Sequence, residues 1–153
     1  GYYENKEETD KVLKYGWFHT GDLGYIDKDG FLFLSGRKKN VIVLKSGKNV
    51  YPEEVELLVS NLPYVIENMV FGQPKHDDET DLALCLKIVY DKEYFTSKGN
   101  VVDDIRPIIE KDIEAINDTL PVYKQIRRII ITEDPMIKTT TGKVKRFEEM
   151  KNL

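Results

Sequence analysis

Short apolar segments separated by turn residues dominate the chain, and two stretches carry apolar residues at helical spacing. Gly24 to Ile26 and Phe31 to Leu34 read as strands joined by Asp27-Lys28-Asp29-Gly30, because Asp-Gly between apolar segments is a strong hairpin signal. Val41 to Leu44 is β-branched and apolar, and Ser46-Gly47-Lys48 turns it into Asn49 to Tyr51 as a second hairpin. Pro52 suits the first position of a helix, with Glu53 and Glu54 at the positive end of its dipole and Val55, Leu58 and Val59 as its buried face. Leu62-Pro63 ends that helix. Val65 to Phe71 and Leu82 to Val89 read as central strands flanking the acidic loop Lys75 to Asp81. From Val102 to Leu120, Ile105, Ile109, Ile113, Ile116 and Leu120 recur at helical spacing, with Asp103 or Asp104 as cap and Pro107 in the first turn. Ile126 to Thr132 gives a last strand, followed by a Thr/Lys/Gly loop and a short helix near Phe147 to Lys151.

The order β, α, β, β, α, β predicts an α+β fold, a small mixed sheet with helices packed against one face. Residues 1–15 are polar and charged and receive no element. Composition changes near Gly36-Arg37, which places a boundary there: residues 1–36 belong to a larger domain, since a lone hairpin is marginal in water, and residues 37–153 form a self-contained small domain.

The 153 residues, 41% hydrophobic and 33% charged, suffice for one soluble core and exclude collagen-like and wholly disordered readings. No apolar run approaches the roughly 18 residues of a membrane-spanning helix. Cys85 has no partner for an internal disulfide and lies within an apolar run, so a buried inert thiol in a reducing, cytoplasmic setting is expected. The net charge of −4 argues against a general nucleic-acid surface. Its distribution says more: Arg37 to Lys48 holds five basic residues and Lys138 to Arg146 four, with no acid in either segment. Two basic loops on an acidic body suit a small anion better than a long polyanion, although on charge counting alone two solvated loops are the simpler reading.

Several chemistries fail on spacing. Gly142-Lys143 lacks the earlier Gly and the following Ser or Thr of a phosphate-binding P-loop, with Ile137 and Val144 at those places. His19 and His76 are far apart and the cysteine is alone, which leaves no zinc spacing. Ser35 lacks the Gly-x-Ser-x-Gly frame of a nucleophile elbow. Three segments remain: HTGDLG (His19 to Gly24), GRKKN (Gly36 to Asn40) and TTTGKVKR (Thr139 to Arg146). A carboxylate such as Asp22 can accept two hydrogen bonds from a ribose diol, and the guanidinium of Arg37 can support ribose or phosphate. Lys143 can deliver a point charge to oxygens that become more negative in a transition state. A turn-capping Asp22, a surface Arg37 and a solvated Lys143 are the plainer readings of each residue alone.

Taken together, GWFHTGDLGYIDKDGFLFLSGRKKNVIVLKSGKNVYPEEVE and the later KTTTGKVKR resemble the adenylate-forming superfamily, which includes acyl-CoA synthetases, nonribosomal-peptide adenylation domains and beetle luciferases. The resemblance covers the whole chain, as the end of the large N-terminal adenylation domain (residues 1–36) and the small C-terminal lid domain (residues 37–153). It implies a small-molecule carboxylic acid, ATP and CoA as substrates, AMP as product, and a lid that rotates between adenylation and thioester formation. By family match, Asp22 and Arg37 would bind the nucleotide, Lys39 would lie at the hinge, and Lys143 would be the adenylation lysine. The turn Lys45-Ser46-Gly47-Lys48 would serve the thioester step, with Gly47 letting pantetheine pass close to backbone. The family's phosphate loop, its magnesium-binding Glu and its acyl pocket belong to the N-terminal domain, so Mg2+ is expected there and the chain alone is expected not to turn over.

Two positions depart from the usual pattern: Lys39 stands where many members carry Asp, and Ile137 where Pro often precedes the Lys-Thr of the last motif. Lys48-Asn49-Val50 after Gly47 differs from the Arg-Ile-Glu usual in peptide-synthetase domains, which favours acyl-CoA synthetases, the long-chain fatty acid branch first. A non-enzymatic module that docks an anion or acidic partner on the same fold is the competing reading. Nucleic-acid binding is disfavoured further by the absence of aromatics interleaved in the basic loops.

Overall fold

The computed structural model describes residues 1–75, 78–99 and 102–153, with the backbone alone at 102–104. His76 therefore lies outside the described residues, and Asp103 and Asp104, expected as the cap of the long helix, fall inside it instead, because that helix begins at Val102. The chain divides into two compact units, Gly1–Val41 and Ile42–Leu153.

In the first unit, helix α1 (Lys6–Val12) is capped by Asn5, whose side chain accepts from the Glu8 amide, with Glu7 and Glu8 in the first turn. Pairs spaced i,i+4, Lys6 with Asp10 and Lys11 with Glu7, run along a helix that buries no residue. It leads into a two-residue hairpin, β1 (Leu13–Lys14) against β2 (Trp17–Phe18), turned by Tyr15 and Gly16, both at positive φ. The expected hairpin is longer than its apolar residues alone suggest: β3 (Asp22–Ile26) pairs with β4 (Leu32–Arg37), with Asp22 opposite Arg37. Its turn is fixed by the Asp27 carboxylate, which accepts from the amides of Asp29 and Phe31 at 2.9 Å each. Tyr25 and Phe33 stack across the strands with ring centroids 5.2 Å apart.

The second unit opens with the hairpin β5 (Ile42–Val43) and β6 (Asn49–Val50), then α2 (Pro52–Ser60) with Pro52 in its first turn as expected. Pro52, Val55 and Val59 form the buried stripe of α2, whereas Leu58, assigned to that face from spacing, is 36% exposed at its margin. Strands β7 (Val65–Pro74) and β8 (Leu82–Tyr90) are antiparallel, and β9 (Ile126–Thr132) joins β8 in parallel, giving the order β7-β8-β9. A parallel partner requires a crossover, which here holds α3 (Lys92–Ser97) and α4 (Val102–Thr119). Helix α3 was not legible in the apolar pattern; Asp91 caps it by accepting from the amides of Glu93 and Tyr94, and Phe95 anchors it at 1% exposure. In α4 the expected stripe holds, with Ile105, Ile109 and Ile113 buried and Ile116 and Leu120 packed beside them. Because α4 starts at Val102, Pro107 lies inside the helix rather than in its first turn, where it removes one backbone donor. Asn117 then sets the entry to β9: its side chain accepts from the Ile126 amide and donates to the Ile126 carbonyl.

Both faces of the three-stranded sheet are covered. On one, Val70, Leu84, Leu86, Ile88 and Ile126 pack with Val55 and Val59 of α2 and Ile105, Ile109 and Ile113 of α4, and with Ile42 and Val50 of the β5–β6 hairpin. On the other, Met69, Phe71, Cys85 and Val89 pack with Met136 and Val144. The helices α2 and α4 pack on one face as expected, and the other face is covered by the segment after β9, which folds back under the sheet and ends in the short α5 (Arg146–Met150). Cys85 is buried as expected, and burial raises its thiol pKa.

Candidate functional site

Asp22 and Arg37 face each other at the open end of the β3–β4 hairpin, and the Arg37 Nε donates to Asp22 Oδ1 at 2.8 Å. Arg37 also reaches the Thr20 carbonyl at 3.3 Å, while the Thr20 hydroxyl accepts from the Asp22 amide at 3.1 Å. A carboxylate offers about four lone-pair sites, so one bond to Arg37 leaves Asp22 able to accept from a diol. The next turn, 3-10 residues Lys38–Asn40, carries an exposed Lys39.

In the second unit the turn Lys45-Ser46-Gly47-Lys48 closes the β5–β6 hairpin. The Leu44 amide donates to the Lys48 carbonyl at 3.0 Å and the Gly47 amide to the Leu44 carbonyl at 2.8 Å. Lys45 is tied to Asp78 at 2.8 Å, and Lys48 lies 4.3 Å from the centre of the Tyr123 ring. The Lys45 hydrogen bond, helped by the Thr80 hydroxyl and amide, lowers the Asp78 carboxyl pKa to about 2. Beside the turn lies a groove of about 460 Å³ whose charged rim is Lys45, Lys75, Asp81 and Arg127.

Lys143 occupies a second tight turn. The Thr139 amide donates to the Lys143 carbonyl at 2.8 Å, the Gly142 amide to the Thr139 carbonyl at 2.9 Å, and the Lys143 amide to the Thr139 hydroxyl at 3.1 Å. Lys138 and Val144 form the bridge beneath it. Both turns need glycine at the bend, since Gly47 and Gly142 have φ of +78° and +79°, where L side chains are strained. The cations of this segment differ in one respect. Lys138 pairs with Glu67, Lys145 with Glu148 and Arg146 with Glu56, whereas among the described residues the exposed Lys143 ammonium has no ion-pair or hydrogen-bond partner. Its three basic neighbours in this segment are therefore neutralised locally, and Lys143 is left to act outward.

The residues that seat the Lys143 turn were not legible as site residues. Glu67 accepts from the Met136 amide at 2.9 Å and from Lys138. Glu149 accepts from the Ile137 amide at 2.9 Å and from Lys87. The one signal in the sequence is Lys87 itself, a charge inside the apolar run of β8.

Residues 39–152 match the family model of the AMP-binding enzyme C-terminal domain. The chain belongs to this family. As an AMP-binding enzyme C-terminal domain it is 34% identical to the 2-succinylbenzoate–CoA ligase of Listeria monocytogenes, an alignment covering 95% of this chain and 28% of that protein. It is also 34% identical to the long-chain-fatty-acid–CoA ligase FadD15 of Mycobacterium tuberculosis, covering 95% of this chain and 26% of that one. Among solved structures, the anthranilate CoA ligase AuaEII in complex with anthranoyl-AMP superposes with a TM-score of 0.79 at 26% identity, over 99% of this chain and 27% of that one. The chain thus spans about a quarter of the length of the CoA ligases it matches. Among the described residues no helix is long and apolar enough to cross a membrane, and no group of three His, Cys, Asp or Glu side chains could hold a metal ion.

Proposed function

We propose that the chain is the C-terminal part of an AMP-forming acyl-CoA synthetase, in which it supplies the lysine of the first step and the turn of the second. The observation that carries this reading is the unpartnered Lys143 at the tip of a tight turn whose neighbouring cations are all paired. In the first step a carboxylate oxygen of the acid attacks the α-phosphorus of ATP and pyrophosphate leaves. The Lys143 ammonium, free of a competing carboxylate, holds the acid against the α-phosphate and offsets charge on the reacting oxygens. Asp22 accepts from the ribose hydroxyls and Arg37, paired to it, steadies ribose or phosphate. In the second step the CoA thiol sulfur attacks the acyl carbonyl, AMP leaves, and the thiol proton is lost. The backbone at Gly47 then lies along the pantetheine arm, with Lys45, Ser46 and Lys48 around it.

The attachment of the two turns supports a domain rotation. The Gly47 turn is anchored by Ile42 and Val50 in the core on the helix side of the sheet, and the Lys143 turn by Met136 and Val144 in the core on the other side. A single rigid body holding its two working loops on opposite faces suits alternate presentation, with Lys39 at the pivot beside the N-terminal domain. The described residues hold no metal cluster, so Mg2+ would be held elsewhere in the parent polypeptide and no step is assigned to it here. A long-chain fatty acid is the first acid to test, with a long-chain-fatty-acid–CoA ligase and a 2-succinylbenzoate–CoA ligase equally similar at 34% identity, and the unpaired buried thiol of Cys85 suits a reducing cytoplasm.

The test is acid-dependent ATP–pyrophosphate exchange by the parent polypeptide across fatty and aryl acids, with and without Lys143→Ala. The substitution should lower exchange by on the order of 100-fold or more while sparing thioester formation from supplied acyl-adenylate. Equal loss of both half-reactions would refute the role of Lys143, and no exchange with any acid would refute the enzyme. The chain alone should show no acid-dependent AMP production.

A further inference from the structure

Among the described residues, one charged side chain is fully buried, Glu149 at 3% exposure, and none of the roles above uses it. It projects from α5 onto the second face of the sheet. One of its oxygens accepts from Lys87, whose side chain is only 13% exposed in the middle of β8, and the other accepts from the Ile137 amide at 2.9 Å. Ile137 is the base of the Lys143 turn: its carbonyl accepts from the Lys145 amide at 2.8 Å, which closes the two arms of the loop. A proline at this position would have no N–H to give, so the link from Glu149 to the loop exists because the residue is isoleucine.

A buried ion pair is an inefficient source of stability, since apolar residues of similar volume often stabilise as much or more. What it supplies is direction. Burial alone would raise the Glu149 carboxyl pKa, but the Ile137 amide and the Lys87 ammonium outweigh it and keep the group below the ordinary glutamate value, hence charged. A charged carboxylate with fixed partners on both oxygens leaves the loop one seat on the sheet. Glu67 holds the preceding amide, that of Met136, from the same face at 2.9 Å.

We propose that Lys87 and Glu149 are positioning residues for the adenylation half-reaction, fixing the base of the Lys143 turn to the sheet so that the ammonium meets its target in one geometry. This rests on the reading of Lys143 given above. Misplacing a group by about 1 Å can cost on the order of 100-fold in rate, whereas a residue that only stabilises the fold would affect both half-reactions alike.

The experiment uses the parent polypeptide carrying Glu149→Gln, and a second variant with both Lys87→Met and Glu149→Gln. The single change strands the Lys87 ammonium and should lower kcat for acid-dependent exchange roughly tenfold or more, with KM for ATP little changed and thioester formation from acyl-adenylate within about twofold of wild type. In the double variant no charge is stranded, so stability should return, but the pair that fixes the base of the turn is absent and the loss in exchange should persist; recovery of exchange to the wild-type rate would overturn the role of the pair. Hydrogen exchange supplies a readout independent of activity: Glu149→Gln should cost protection in residues 136–145 and leave residues 82–90 protected. Equal loss of both half-reactions, an unchanged exchange rate, or loss of protection throughout the domain would overturn the proposal. If the wild type shows no exchange with any acid, the functional reading fails, and whether Glu149→Gln costs protection in residues 136–145 still decides whether Glu149 seats the turn.

Discussion

Glu56 and Arg146 close together on the outer edge of β7 at the buried Val70. Glu56 accepts from the Val70 amide at 2.7 Å, Arg146 donates to the Val70 carbonyl at 3.0 Å, and the guanidinium donates to Glu56 itself at 2.6 Å. An edge strand presents unpaired backbone groups to solvent, and here two oppositely charged side chains satisfy one residue's pair of them while neutralising each other. The same contact ties α2, which follows the Gly47 turn, to the segment that follows Lys143.

Replacing Arg146 with Met should therefore destabilise the second unit by roughly 3 kcal/mol, because it leaves Glu56 and the Val70 carbonyl without their partner in a partly buried site. Urea unfolding of the purified chain checks this through the midpoint, and a shift below about 0.5 kcal/mol would show that water replaces the guanidinium.

Gly47→Ala meets open space, so its effect comes from the backbone alone: forcing a Cβ into φ of +78° costs about 1–2 kcal/mol locally. Thioester formation from supplied acyl-adenylate should slow while ATP–pyrophosphate exchange stays close to wild type. A slower exchange with normal thioester formation would reverse the assignment of the two turns.

The Lys45–Asp78 bond has a pH signature. The folded pKa of Asp78, about 2, lies below its ordinary 3.8, so the pair's contribution is present above 3.8 and is lost as pH falls through about 2. A carboxyl-carbon NMR titration should give a midpoint near 2 and Lys45→Ala should move it up; an unmoved midpoint would assign the shift to Thr80 instead.

Ile109→Ala in α4 should cost about 2–5 kcal/mol, since the side chain is fully buried against the sheet, while Leu58→Ala, 36% exposed at the margin of its helix, should cost about 1 kcal/mol or less. Thermal unfolding of both variants compares them directly. Equal costs would mean that α2 packs through Leu58 after all.

The contrast between those two residues shows what could be read in advance. Ile105, Ile109 and Ile113 repeat along a helix long enough for its period to name the buried face, whereas α2 is short and places Leu58 one step off its stripe. Helix α3 has no stripe and exists through one cap and one buried phenylalanine. Helix α1 rests on capping and ion pairs that leave no apolar trace. The tight turns that carry Gly47 and Lys143 were legible as turns because each is marked by a compact Ser/Thr-Gly-Lys motif. Glu67 and Lys87 were not legible as site residues, because each acts across a long separation in sequence: Glu67 meets Met136 across 69 positions and Lys87 meets Glu149 across 62.

The parallel pairing of β8 with β9 bears on how the molecule comes to be folded. β8 can find β7 through a short connection, but its other side stays open until α3 and α4 have been laid down and Ile126–Thr132 arrives. Until then the most apolar strand of the chain, Leu82–Tyr90, presents a bare flank to any neighbouring strand. Substitutions that delay α4 should thus appear first as aggregation during synthesis, and only those molecules that escape it would reach full activity.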